Sequence, residues 1–319
     1  MNVDKSDKVY VAGHRGMVGS AILRTLKERG YSNVVFKTSN ELDLRNQSAV
    51  YDFIGSEKPD AVIIAAAKVG GILANDQYPY QFLHDNLIIQ DNLINSSHEN
   101  DVNKLIFLGS SCIYPKFAEQ PMKEDSLLTG ALEPTNQWYA VAKIAGVKQC
   151  EAIRKQYGRD YISLMPTNLY GPGDNFDLET SHVLPAMIRK FHDAKTRGDA
   201  PVTLWGSGTP KREFLYVDDV ADAVEFALKR TLSSNLYNVG SGEDLSIKNL
   251  AEKIQKMVGH NGPIIWDSEK PDGTPRKLME VSKLEAEGWK YSVNLDVGIQ
   301  KTYEWFLKNY NTIREVKFK

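Results

Sequence analysis

Apolar residues fall along this chain in two alternating rhythms. Short apolar runs at 8–13, 33–36, 60–66 and 104–109 have the length and content of strands buried on both faces. Between them, 20–30 carries Ile22, Leu23 and Leu26 at helical spacing and closes on Gly30, and 46–55 and 80–99 also read as helices. Strand and helix in alternation predict an α/β fold, a doubly wound parallel sheet covered by helices on both sides. A helix over about 136–157 and a strand around 161–165 extend the series.

At 171–177 the texture changes to Gly-Pro-Gly-Asp-Asn-Phe-Asp, which predicts a loop leaving the sheet and a domain boundary. Beyond it, 217–230 and 245–258 read as helices, and 236–239 reads as a strand that returns to the first domain. The expected division is a doubly wound domain over 1–175, with a return around 214–240, and a smaller mixed α+β substrate domain over 176–319. No internal repeat interrupts this order.

Composition narrows the class. The chain has 319 residues, 42% hydrophobic and 25% charged, which excludes a disordered or low-complexity protein. A net charge of −2 leaves no global field for nucleic acid or an anionic membrane, so any anion must be held locally. The two cysteines, Cys112 and Cys150, are too few for a disulfide scaffold and fit a reducing compartment. The first eight residues have no apolar h-region, and the most apolar stretch, 60–74, is broken by Lys68, Gly70 and Gly71. A cytoplasmic protein with neither export signal nor membrane span is expected.

Gly13-His14-Arg15-Gly16-Met17-Val18-Gly19 sets three glycines at three-residue intervals between a predicted strand and helix. There, backbone N–H groups and the positive helix end can receive a pyrophosphate. An NAD-preferring site carries a carboxylate after the second strand, but here that place reads Phe36-Lys37-Thr38-Ser39. Arg15 and Lys37 are two cations suited to a 2′-phosphate, which favours NADPH; the alternative is that both are solvated surface charges.

Tyr139-Ala140-Val141-Ala142-Lys143 puts a phenol and an ammonium one helical turn apart, where the ammonium can lower the phenol pKa and ready it for proton transfer to a carbonyl. With 15 tyrosines in the chain, roughly one such spacing arises by chance, so position is what makes it informative. It follows the fourth strand, which ends in Gly109-Ser110-Ser111-Cys112, where a hydroxyl can bond the same carbonyl.

These residues resemble the extended short-chain dehydrogenase/reductase family, with its glycine turn, serine and Tyr-x-x-x-Lys. The strings 65–71, 109–115, 133–136, 165–172 and 270–277 extend the resemblance along nearly the whole chain, to the branch that makes GDP-L-fucose. The resemblance implies 3,5-epimerisation of GDP-4-keto-6-deoxy-D-mannose followed by NADPH reduction of the C4 ketone. That order is chemically sound, because a ketone at C4 acidifies the hydrogens on both flanking carbons. Cys112 is implied as the base and His182 as the acid. If the strand extends through Ser110, alternation sends Cys112 to the same side as Ser110. Read alone, Cys112 serves equally as a buried structural cysteine, His182 reads first as a polar loop residue rather than a catalytic one, and Cys150 stays structural.

Tyr139 is implied as the proton donor in reduction, with Lys143 holding the nicotinamide ribose and Ser110 the carbonyl. The implied NADP(H) contacts are Gly13, Arg15, Gly16, Met17, Val18, Gly19, Lys37, Ser39, Leu44, Ala66 and Leu108. They continue through Ser110, Tyr139, Lys143, Pro166, Thr167, Asn168, Leu169 and His182. Relatives often carry Arg where this chain has Ser39, so NADPH preference is expected to be weakened rather than lost.

For the GDP-sugar the implied contacts are Asn168, Lys190, Trp205, Arg212 and Asp272, with Trp205 as a flat apolar surface and Arg212 as the phosphate clamp. Lys190 stands where relatives often carry Arg and lacks the planar fork. Asp272 alone is a turn residue. No metal is called for, and a homodimer through a four-helix bundle of the 80–99 and 136–157 helices is implied. The alternatives are a 4,6-dehydratase or 4-epimerase of the same fold, and a non-catalytic dinucleotide sensor. A dehydratase needs an acid beside the catalytic hydroxyl, where this chain has Ser110-Ser111-Cys112. A sensor has no need of both Tyr139 and Lys143.

Overall fold

A computed structural model describes residues 2–178, 180–270 and 272–313. The first half runs β1 (Val9–Ala12), α1 (Met17–Glu28), β2 (Val34–Val35), α2 (Gln47–Glu57), β3 (Ala61–Ile64), α3 (Ile72–Gln77), α4 (Pro79–Glu99), β4 (Lys104–Leu108), α5 (Gln137–Tyr157) and β5 (Asp160–Pro166). Then come β6 (Asn168–Tyr170), α6 (Val183–Thr196), β7 (Val202–Trp205), β8 (Lys211–Tyr216), α7 (Val217–Leu228) and β9 (Leu236–Val239). The chain closes with β10 (Asp244–Ser246), α8 (Ile247–Val258), β11 (Ile264–Asp267), β12 (Arg276–Lys277), α9 (Ser282–Ala286) and α10 (Leu295–Asn309).

Six strands form one parallel sheet in the order β2-β1-β3-β4-β5-β9. Alternate residues of each strand serve opposite faces. Val9, Val11, Ile63 and Ile106 pack with Ile22 and Leu26 of α1 and Val220 and Val224 of α7. Tyr10, Val62, Ile64 and Phe107 pack with Ile54 of α2, Leu93 and Ile94 of α4 and Val147 of α5. Each such fully buried aliphatic or aromatic side chain contributes roughly 1.5–3 kcal/mol. A third cluster joins α6, α8 and α10 to β8 through Phe191, Ile254, Phe306 and Phe214. The returning strand is β9, whose Val239 pairs with Pro166 of β5.

Several boundaries differ from the sequence reading for local reasons. The helix expected over 20–30 begins at Met17, because Gly16 N–H bonds Gly13 O at 3.0 Å and the glycine turn is itself the helix entrance. The 33–36 strand shrinks to an edge pair, and Phe36 leaves the ladder to pack on His14, ring centroids 4.6 Å apart. Leu245 belongs to β10, antiparallel to β8, and α8 starts after Ser246, whose hydroxyl accepts from Asn249 N–H. The short helix α3 went unpredicted.

Beneath the amino ends of β4 and β5, the wholly buried Lys104 donates to Asp160 and to the Arg230 carbonyl at 2.7 Å. Arg154 bonds the other Asp160 oxygen at 2.6 Å and the Leu232 carbonyl at 2.7 Å. Burial lowers the Lys104 pKa against the pull of Asp160. Asp160→Ala leaves that ammonium without its counter-charge and is expected to cost about 3–5 kcal/mol of folding free energy. Urea unfolding at neutral pH checks this, and a loss below about 1 kcal/mol would refute a stabilising role.

Candidate active site

The strands point their carboxyl ends at one edge, and the residues singled out in the sequence emerge there. The glycine turn is a cradle with no room for side chains. Gly13 has φ +90°, and a Cβ on it would lie 2.6 Å from Ala66 N. A Cβ on Gly19 would lie 2.1 Å from Gly13 O, so Ala12 to Ala66 and α1 meet backbone to backbone. The first turn of α1 carries no acidic residue and Gly16 makes no side-chain cap. The turn therefore fits the pyrophosphate of a dinucleotide, which needs free N–H groups and a positive helix end.

Around it, Arg15 and Ser39 are exposed and Leu44 and Ala66 are half-buried. The Lys37 ammonium lies 5.9 Å over the Phe53 ring, which draws it along α2 and leaves Arg15 the more freely placed cation.

Beyond Leu108 the β4 strand ends sooner than expected. The argument that strand alternation places Cys112 fails, because Ser111–Ile113 form a single 3-10 turn. The turn brings Cys112 back on Ser110, whose hydroxyl accepts from Cys112 N–H at 3.4 Å. Cys112 is buried, and burial raises its thiol pKa although Lys277, Ser110 and Lys143 oppose the rise.

Lys143 is 2% exposed; its ammonium donates to Leu108 O at 2.9 Å and lies 5.8 Å from the centroid of the Tyr139 ring. The expectation that Lys143 depresses the Tyr139 pKa is corrected here. Burial pushes the phenol up, the Cys112 charge adds to the rise, and burial lowers Lys143 itself to about 8. Desolvation, with Cys112, is what moves the phenol.

After β5, Thr167 N–H donates to Val239 O at 3.0 Å, and Asn168 Nδ2 donates to Glu213 O at 2.8 Å. Leu169 lies in β6 opposite Leu215. His182 is the N-cap of α6. It keeps solvent-facing surface yet sits among crowding protein atoms, and that desolvation lowers its pKa. Its loop is tied to the loop after β3, because Gly71 N–H donates to Thr180 O at 3.1 Å.

The second lobe supplies cations. Arg212 Nη1 donates to Thr274 O at 2.6 Å and Lys211 O at 2.7 Å. Lys277 of β12 lies opposite Arg212 of β8. Burial lowers Lys277, Cys112 opposes, and Arg212 adds to the lowering. The sequence reading assigned Lys277 no role; its only signal was its place at the end of the 270–277 string, of which Pro271 lies outside the described residues.

Trp205 is exposed with Lys270 Nζ 5.6 Å over its ring. Asp272 accepts from Ser207 N at 2.9 Å and Ser207 Oγ at 2.7 Å, so it fastens the 206–209 loop. Lys190 donates to Thr203 O at 3.1 Å. Among the described residues no group of three or more His, Cys, Asp or Glu could hold a metal ion, and no helix is long and apolar enough to cross a membrane.

A parallel six-stranded sheet, a glycine turn at its carboxyl edge and a Ser, Tyr and Lys cluster two strands away define an extended short-chain dehydrogenase/reductase architecture. The chain belongs to the NAD dependent epimerase/dehydratase family, whose model matches residues 9–240, and within it to the GDP-L-fucose synthases. It is 58% identical to GDP-L-fucose synthase 1 of Arabidopsis thaliana, over 96% of this chain and 95% of that one. It is 53% identical to GDP-L-fucose synthase of Escherichia coli K12, over 96% and 98%. The crystal structure of a GDP-L-fucose synthetase from Naegleria fowleri bound to NADP superimposes with TM-score 0.89 at 30% identity, covering 99% and 97%.

Lys143 yields a pH prediction. The unfolded chain keeps a lysine protonated to about 10.4, whereas the folded one releases this proton near 8, so the folded state binds fewer protons between those values. Lys143 therefore adds stability as pH rises through that window. Lys143→Met is expected to remove up to about 1.4 kcal/mol per pH unit of positive slope, read by denaturation at pH 8 and 9.5. Identical slopes in both proteins would refute the shift.

Proposed function

We propose that this chain converts GDP-4-keto-6-deoxy-D-mannose to GDP-L-fucose, inverting C3 and C5 and then reducing C4 with NADPH. The observation that carries the reading is the meeting of Cys112, Ser110, Tyr139 and Lys143 at the sheet edge that bears the glycine turn. A plain reductase needs no thiol there; a double inversion needs a group that takes a proton from carbon.

In this reading Cys112 is the base and His182 the acid. Cys112, buried, has its thiol pKa raised, and crowding protein atoms lower the pKa of the His182 imidazole, so both rest neutral at pH 7. The working pair then requires a proton to pass from Cys112 to His182, and Lys277 and Lys143 favour the resulting thiolate. The thiolate takes the substrate proton, the imidazolium returns one to the opposite face, and the pair is neutral again.

When bound, NADPH supplies the hydride for C4. Tyr139, kept protonated by its raised pKa, is the donor to the C4 oxygen, and Ser110 aligns the carbonyl. Residues Gly13, Gly16 and Gly19 would hold the pyrophosphate, with Arg15 and Lys37 near the 2′-phosphate. Pro166, Thr167, Asn168 and Leu169 would line the nicotinamide. Arg212 would clamp the GDP diphosphate and Trp205 would offer a flat face, with Asn168, Lys190 and Asp272 as further sugar-nucleotide contacts.

The division of labour follows the expected lobes, 1–175 with a return at 214–240 for the dinucleotide and 176–319 for the GDP-sugar. A homodimer through α4 and α5 is part of the reading, supported by exposed Trp138 and Val141 on α5 and Tyr80 on α4.

The test is turnover in deuterated water, with NADPH loss followed by absorbance and deuterium located by NMR. Deuterium at both C3 and C5 of GDP-L-fucose is the expected result. Cys112→Ala is expected to lower that incorporation about 10²–10⁴-fold with NADPH affinity kept. Reduction without exchange would make the protein a 4-reductase and remove Cys112 and His182 from the chemistry; no turnover would restore the sensor alternative.

A further inference from the structure

Glu213 is a buried carboxylate that the mechanism does not use. It lies on β8 with no exposed surface, next to Arg212. Its Oε1 accepts from Ser241 N at 2.7 Å and Gly242 N at 2.8 Å, with Ser241 Oγ at 3.4 Å. Its Oε2 accepts from Met279 N at 2.9 Å.

The turn after β9 is shaped for this anion. A Cβ on Gly240 would stand 2.2 Å from Oε1, and Gly242 takes φ +71° to aim its N–H inward. Successive backbone N–H groups converging on one oxygen form an anion nest, here filled by a side chain of the same protein.

The residue's own carbonyl accepts from Asn168 Nδ2 at 2.8 Å and Thr167 Oγ1 at 3.5 Å, and the Thr167 hydroxyl also reaches the carboxylate. One residue thus joins two groups of candidate ligands. Through its carbonyl it fixes the 167–168 segment beside the dinucleotide site. Through its carboxylate it fixes Met279, two residues beyond Lys277, and so the strand that holds Lys277 opposite Arg212.

We propose that Glu213 is a positioning residue whose side chain sets Arg212 and Lys277 at the spacing a nucleoside diphosphate requires, while its backbone carbonyl holds Asn168. The inference rests on the reading that these two cations face the GDP diphosphate. A carboxylate serves because it offers acceptors to N–H groups from two separate segments at once. Glutamine keeps the shape but turns an NH₂ against one of those donors, and so releases either the 240–242 turn or the Met279 strand.

The test is calorimetric titration of the full-length protein with GDP and, separately, with NADPH. Wild-type binding of GDP comes first; its failure with NADPH binding intact overturns the functional reading, and this inference with it. Glu213→Gln is expected to weaken GDP about tenfold or more and to leave NADPH within about twofold, because Asn168 is held by the backbone carbonyl and the glutamine oxygen can still accept from the Thr167 hydroxyl. Glu213→Asp, which keeps the charge on a shorter arm, is expected to lose less GDP affinity than Glu213→Gln. If Glu213→Gln does not fold, Glu213→Asp decides alone, by at least about threefold weaker GDP with unchanged NADPH. Unchanged GDP affinity, or equal loss of both ligands, overturns the proposal.

Discussion

The site depends on one backbone contact, the close approach of the glycine turn after β1 to the loop after β3. No side chain fits between Gly13 and Ala66 or between Gly13 and Gly19, so strand, turn and helix lie together with their N–H groups facing outward. Because the sheet is parallel, the ends of β4 and β5 emerge at the same edge. Ser110 and the 166–169 segment therefore arrive beside the turn as a consequence of topology. The His182 loop joins them through Gly71 and Thr180.

Desolvation governs the electrostatics of that edge. It raises Cys112 and Tyr139, lowers Lys143, Lys277 and His182, and in each case opposes charge. Such a cleft keeps the Cys112 thiol and the Tyr139 phenol protonated, while Lys143, at about 8, still carries most of its charge at pH 7. The cations of the second lobe enter the same field, since Lys277 acts on Cys112 while lying opposite Arg212.

A buried carboxylate without a lysine or arginine partner is costly, and Glu213, which pairs with no cation among the described residues, is held by backbone N–H groups from two segments. The Lys104 and Asp160 pair at the opposite edge uses the alternative, direct ion pairing. The two arrangements show two ways this fold holds a buried carboxylate, one by ion pairing at the base of the sheet and one by backbone N–H groups.

The sequence by itself determined the alternation of strands and helices, the return of 236–239 to the sheet, the glycine turn, and the Tyr139 and Lys143 spacing. Each of these is local, written in apolar periodicity or in residues within one turn of each other. Tertiary structure alone decided the rest. The 3-10 turn, not strand alternation, put Cys112 on Ser110. The β8 and β12 ladder put Lys277 opposite Arg212, across 65 positions of chain. Burial, not the Lys143 spacing, sets the direction of the Tyr139 pKa. Spacing along a chain fixes which side chains are neighbours on one element, but a pKa or an ion's partner depends on what distant segments exclude or bring, and that is settled only when the chain folds.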